Sequence, residues 1–510
     1  ADGYYVIPGE GKYKVTPNGN NVDIEFTPED NFVGTASGIS IRRTDDNGYT
    51  TDWVSKDKTL LPSINEVMDS MDGLYIPTVT PKNIEGIDKT STDVQGATQT
   101  GTPEFELEGT NSNGEKVKVT PDLDYPAKLV DPATGQVTDE ATVTVAGEGT
   151  YTIDQATGKV TFKPEPGFTG TANGVTVSVT APVGRDKDGQ VPADALKTAT
   201  AKYTPTVTPI TLTPTNKVSE DVQNVPQTQT PTFELSNDKT AKITSKKLVD
   251  PATGQPTDAT TVTVAGEGSY TIDPTTGAVT FVPEENFIGT AKGITVQATA
   301  TIKNEDGKTT TITADATYTP TVVPAVPTAQ PAKSIDVQGA TQKGKPTFEG
   351  TTVTVNGQQK PVTIKENSYK LLDKDGNEVT STPAYAEDGT TVIGTHTIDP
   401  TTGEVTFTPT DKSYSGKVTP VSVQAESSNG IKVSTTYTPE IVPVTPTAQD
   451  AATKDIQGKT QKGKPTFEGG KATVDGVEKT VEIDEDTPAT FEDGSTTKTI
   501  PGEGTYTVAP

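Results

Sequence analysis

The chain has 510 residues, room for three to five domains, and carries a net charge of −27 with only 30% apolar residues. Acidity of that size repels phosphate backbones and anionic membrane surfaces, so nucleic-acid binding is not expected, and with no run of 18 apolar residues no membrane insertion is expected either. The absence of cysteine excludes disulfides, thiolate metal sites and cysteine nucleophiles. Leu, Ile, Val and Phe supply roughly a fifth of the residues, near the compositional edge of disorder, so patterning must decide the class.

Residues 1–81 hold Tyr13 in GEGKYKV, Phe26 in EFTP and Tyr75 before a proline. Three fuller units follow, at 82–209, 210–324 and 325–443, each with the same anchors in the same order. A Pro-x-Phe-Glu element comes first (Phe105, Phe233, Phe348). Next is GEGxYT or its equivalent (Tyr151, Tyr270, His396), then TFxP (Phe162, Phe281, Phe407), and last a Tyr-x-Pro (Tyr203, Tyr318, Tyr437). The four closing tyrosines are 128, 115 and 119 residues apart. Residues 444–510 carry the front elements only, with Phe467 and Tyr506, so the chain reads as a piece of something longer at both ends. Residues 1–81 thus read as the back half of a repeat and 444–510 as the front half, and the half-sandwiches at 1–40 and 445–510 are expected to be poorly ordered.

Within a unit the period is two. Tyr270 and Ile272 alternate into the turn Asp273–Gly277, and Val279 and Phe281 alternate back. Asp opens such a turn, Pro presets φ and Gly takes the left-handed position. Ile294, Val296, Ala298, Ile312, Ala314 and Ala316 continue the pattern, while Phe233, Leu235, Ile243, Leu248, Val262 and Val264 supply the front half. About seven short strands per unit predict an all-β, Ig-like sandwich repeated in tandem as an elongated rod. The proline-spaced stretches 204–217, 319–333 and 438–454 read as edge strands running into semi-rigid connectors.

Candidate chemistry is sparse. His396, the sole histidine, stands where other units have Tyr, so packing is the expected role. The turns at Asp186/Asp188/Gly189, Asp373/Asp375/Gly376 and Asp45/Asp46/Asn47/Gly48 suggest calcium, but Glu378 and Ala384 occupy the sixth and twelfth positions from Asp373 and break the EF-hand pattern. Gly-Glu-Gly (147–149, 266–268, 502–504) lacks the Lys-Ser/Thr of a phosphate loop and reads as a bulge or close backbone approach. Glu165 and Glu284 recur singly, as loop residues rather than a paired acid and base. The insertion 49–73, with Trp53, Leu60, Leu61, Ile64, Val67 and Met68, reads as a short helical cap or a small binding patch. No catalytic, cofactor or metal residue is assigned, an enzyme is not expected, and no isopeptide cross-link signature is evident.

The pattern GEGxYTxDPxTGxVTFxPExxFxGTAxGxTV, the KGKPTFEG element (343–350, 462–469) and PATFEDGSTTKTIPGEGTYTVAP (488–510) resemble the fibril repeats of CshA-type streptococcal surface adhesins. His396 for Tyr, Tyr414 for Phe and the insertion depart from the pattern. The resemblance implies an extracellular, cell-wall-anchored stalk on a Gram-positive cell. It would present a tip that binds host matrix, such as fibronectin, or other bacteria in colonisation and biofilm. From the residues themselves, an elongated monomer without cofactors is expected. The alternative is that the repeats are themselves adhesive.

Overall fold

The computed structural model describes residues 3–48, 51 and 73–509. These form two compact units, one of 1–215, 232–247 and 296–316, the other of 216–231, 248–295 and 317–510. Apart from the 3-10 turn Ala193–Ala195, the regular elements among the described residues are strands.

In the first unit, two sheets face each other across one core. The four-stranded sheet runs Gln99–Gly101, Lys159–Pro164, Gly149–Asp154, Thr142–Val145. The second runs Val137–Thr138, Lys128–Val130, Val175–Pro182, Leu196–Thr208, Gly170–Thr171, with Lys89–Val94 added parallel to Leu196–Thr208. The alternation does this work. Tyr151, Ile153, Val160 and Phe162 from one sheet and Leu129, Val175, Val177, Val179 and Tyr203 from the other are all buried. Thr150 and Thr152 point the other way, where Thr144 and Thr142 meet their hydroxyls across the ladder. Tyr151 lies directly opposite Phe162 with ring centroids 4.6 Å apart. The intervening turn is held as expected: Asp154 Oδ1 accepts the Ala156 amide at 3.0 Å, and Gly158 takes φ +71°.

Two expectations are refined in detail. Twelve strands, not about seven, lie between Ile84 and Thr208, because two-residue strands and a small front sheet of Ile84–Ile87 with Glu104–Leu107 add to the sandwich. The Gly-Glu-Gly run is a three-residue hairpin turn at the strand entry, the loop type that carries a glycine at positive φ. Val145 pairs with Gly149 around a loop in which Gly147 takes φ +80°. The close approach is real, since a Cβ on Gly149 would sit 2.2 Å from the Lys163 carbonyl oxygen.

The proline-spaced stretches are also not edge strands. Residues 203–208 are paired on both sides, parallel to Lys89–Val94 and antiparallel to Gly170–Thr171. Residues 437–442 are flanked likewise by Ala332–Val337 and Gly416–Lys417. Pro205 is tolerated because its missing N–H faces a bulge. The register slips by one residue between the Thr171↔Thr206 and Val175↔Tyr203 pairs, and the Pro205 carbonyl still accepts the Ala172 amide at 3.0 Å. Pro77 and Pro320 accept from Ala36 and Ala291 at the same distance.

In the second unit the same plan recurs. Gln342–Gly344, Val405–Pro409, Val392–Ile398 and Ser381–Tyr385 make the four-stranded sheet, facing one built on Val421–Glu426 and Lys432–Val442. Gln227–Gln229, Val279–Pro283, Gly268–Ile272 and Thr261–Val264 repeat it again. Residues 444–509 form short two-stranded hairpins, in which Phe467 and Tyr506 are 58% and 49% exposed where Phe105 and Tyr151 are buried. Trp53 and the apolar residues of the insertion lie outside the described residues.

Candidate functional site

Three of the four closing tyrosines, Tyr203, Tyr318 and Tyr437, end in a polar latch. The Tyr203 hydroxyl meets Ser91 Oγ at 2.7 Å, Ser91 donates to Gln99 Oε1 at 2.6 Å, and Gln99 Nε2 donates to the Thr206 carbonyl at 2.9 Å. Ser91 lies on the parallel strand and Gln99 on the opposite sheet, so one chain of hydrogen bonds ties three strands and both layers together. Tyr318, Ser219, Gln227 and the Thr321 carbonyl repeat it, with the tyrosine–serine contact at 2.7 Å. Tyr437, Ser334, Gln342 and the Glu440 carbonyl do so again at 2.6, 2.6 and 2.9 Å. Burial raises the phenol pKa of Tyr203, Tyr318 and Tyr437, against a smaller lowering by the serine bond. Neutral hydroxyls and an amide in a closed relay hold strands together and activate no nucleophile.

A second buried pair sits behind the GEG turn. Glu148 is 6% exposed; one carboxylate oxygen accepts the Tyr151 hydroxyl at 3.1 Å and the other the Asn173 amide at 2.7 Å. Glu267 does the same for Tyr270 and Lys292, at 3.4 and 3.0 Å. Burial first, then the adjoining glutamate, pushes the Tyr151 and Tyr270 phenols above their ordinary range. In the unit holding His396 both partners change together: Ile393 replaces the glutamate and His396 the tyrosine. His396 is 1% exposed, with both ring nitrogens buried and without hydrogen-bond partners among the described residues. It packs against Phe407 and edge-on to Tyr437, with centroids 5.4 and 5.9 Å away, and desolvation pushes its pKa down to about 4.

The other candidates are spread over separate turns. Asp186 Oδ1 accepts the Asp188 and Gln190 amides at 2.9 and 2.8 Å; Asp373 Oδ1 accepts those of Asp375 and Asn377, both at 2.9 Å; and Asp45 Oδ1 accepts that of Asn47 at 2.9 Å. These carboxylates serve their own turns, and no group of three His, Asp or Glu residues that could hold a metal ion occurs among the described residues. Glu284 caps the GEG turn by accepting the Gly266 amide at 2.8 Å. Glu165 sits beside the equivalent turn, its amide donating to the Glu148 carbonyl at 2.8 Å. The latch serine and glutamine escaped the sequence reading, although their fixed eight-residue separation (91/99, 219/227, 334/342) was a readable signal.

A β-sandwich built repeatedly around the same inward-turned polar relay defines a tandem-repeat protein. The family model for the surface adhesin CshA repetitive domain matches residues 3–54, 81–207, 209–322, 324–441 and 443–510, and the chain belongs to this family. It is a repeat region of a surface adhesin. No curated protein matches it. Among solved structures it is similar to the I9–I11 tandem of titin (13% identity, 71% of this chain and 99% of that one, TM-score 0.27). It is also similar to mouse cadherin-23 EC22–24 (12%, 71% and 100%, 0.21). A third is the tetra-tandem repeat in the extending region of a large adhesion protein (15%, 72% and 76%, 0.18). No helix among the described residues is long and apolar enough to cross a membrane.

Proposed function

We propose that this chain is the stalk of a cell-wall-anchored adhesin of a Gram-positive bacterium, holding a separate adhesive region away from the cell for host colonisation and biofilm growth. The observation that carries this reading is the latch: three units repeat the same Tyr–Ser–Gln relay, with its polar groups spent on joining strands. Each repeat then adds length and no chemistry. Binding to host matrix, such as fibronectin, or to other bacteria belongs on this reading to the full-length protein. The chain itself is a monomer that does no catalysis.

Small-angle scattering tests the shape. A compact globule of this length has a radius of gyration near about 24 Å, whereas four to five units of roughly 35–40 Å in line give a value above about 40 Å. Deleting 210–324 tests the role. Ligand binding by purified full-length protein should be unchanged, while adhesion on cells weakens as the tip sinks among other surface polymers. Loss of binding in solution would make the repeats the adhesive modules.

A further inference from the structure

The strand parallel to each closing strand ends in Asp-Val-Gln: Asp93–Gln95, Asp221–Gln223 and Asp336–Gln338. At all three places the aspartate reaches a lysine on a strand or turn of the following repeat, 146, 139 and 143 residues downstream. Asp93 Oδ2 lies 2.5 Å from Lys239 Nζ, Asp221 pairs with Lys360, and Asp336 Oδ2 lies 3.1 Å from Lys479. The carboxylate is aimed by its own backbone: its other or shared oxygen accepts the next residue's amide at 2.8, 2.6 and 2.8 Å. Burial would raise the Asp93 carboxyl, but the Lys239 hydrogen bond and charge and the Val94 amide together hold it below its usual range.

The residue two further on grips the departing backbone. Gln95 Oε1 accepts the Ile210 amide at 3.3 Å while Nε2 donates to the Pro166 carbonyl at 2.9 Å. Gln338 takes the Val444 amide at 2.7 Å and the Ser413 carbonyl at 2.5 Å. At the middle position the Gln223 carbonyl instead accepts Asn429 Nδ2, at 3.2 Å. A small apolar core lies under each of the first two pairs. Ile210, Ala241 and Ile302 form one; Val222, Ala325, Val355 and Val362 form the other. Thr240 Oγ1 donates to the Gln95 carbonyl at 2.6 Å, and a Cβ on Gly96 would meet Ile302 Cγ2 at 3.3 Å.

We propose that Asp-Val-Gln is a docking clasp whose partner is the next repeat: an aspartate takes a lysine of the following front segment, over a small apolar core at the first two junctions, and the glutamine side chain fixes the backbone between them at the first and third. Successive repeats are therefore fastened through side chains as well as joined by the covalent chain. The inference is independent of the stalk reading, because it is read on junction amides and not on length or adhesion.

The test uses the full chain with Lys239→Asp, Asp93→Lys and the double swap, followed by amide exchange. Lys239 is half exposed, so the repeats should fold. Either single reversal should speed exchange at Gln95 and Ile210 about two- to fivefold, as expected for a partly exposed ion pair that gates local opening. Amides inside the sandwich, such as Ile153, should not change. The double swap should restore protection, and about 1 M salt should speed the wild-type junction towards the single variants. Unchanged junction exchange in the single variants, or loss that the swap does not restore, overturns the clasp.

Discussion

Acid should loosen the repeat that contains His396 before its neighbours. The folded protein holds this imidazole neutral, with a pKa near 4 against an ordinary 6.5, because burial without a partner disfavours the charged ring. The unfolded chain binds the proton more readily, so stability is full above about pH 6.5. It falls as pH drops through the window between the two values, and the loss levels off below about pH 4. Each pKa unit corresponds to about 1.4 kcal/mol, giving a total near about 3 kcal/mol, of which about 2 kcal/mol is lost by pH 5. That is roughly a thirtyfold increase in opening, reached above the pI of 4.5. The assay is amide exchange on strands Val392–Ile398 and Val405–Pro409, comparing wild type with His396→Phe at each pH so that intrinsic exchange rates cancel. Wild type should lose protection relative to the variant between about pH 7 and about pH 5. The double variant Ile393→Glu/His396→Tyr, which recreates the pair seen at Glu148 and Tyr151, should also lose the histidine response. Equal pH dependence in wild type and His396→Phe would refute the reasoning.

Tyr203→Phe removes one hydroxyl from a buried relay and leaves Ser91 only its bond to Gln99; it should cost about 1 kcal/mol by local exchange on Lys89–Val94. Gly149→Ala places a methyl 2.2 Å from the Lys163 carbonyl oxygen and 2.9 Å from Phe162; it should cost about 3 kcal/mol or more, seen as early unfolding of this hairpin under protease. Calcium or a chelator should leave melting unchanged, because Asp186 and Asp373 already accept two backbone amides each; a rise of several degrees with calcium would contradict that assignment.

Local sequence carried the repeat, its period and its turns. Alternation places Tyr151 and Ile153 on one face whatever the sandwich does, and Asp154 with Gly158 specifies the turn through its own backbone. The aromatic anchors were legible for the same reason, and so was the family, since ordered motifs recur at a near-constant spacing. What escaped depends on residues far apart in the chain. Pro205 reads as an edge-strand residue until the bulge opposite it is known, and that bulge belongs to residues 172–174. The latch needs Ser91 beside Tyr203, 112 residues on, and the clasp needs Asp93 beside Lys239, 146 residues on. The solvation of His396 likewise followed from Ile393 and the packing of Phe407 and Tyr437 around it. Periodicity records which face a side chain takes. Only the parallel pairing of a repeat's second strand with its last decides which distant polar groups of the latch and clasp meet, because that pairing sets Ser91 beside Tyr203 and carries Asp93 to the end of the repeat.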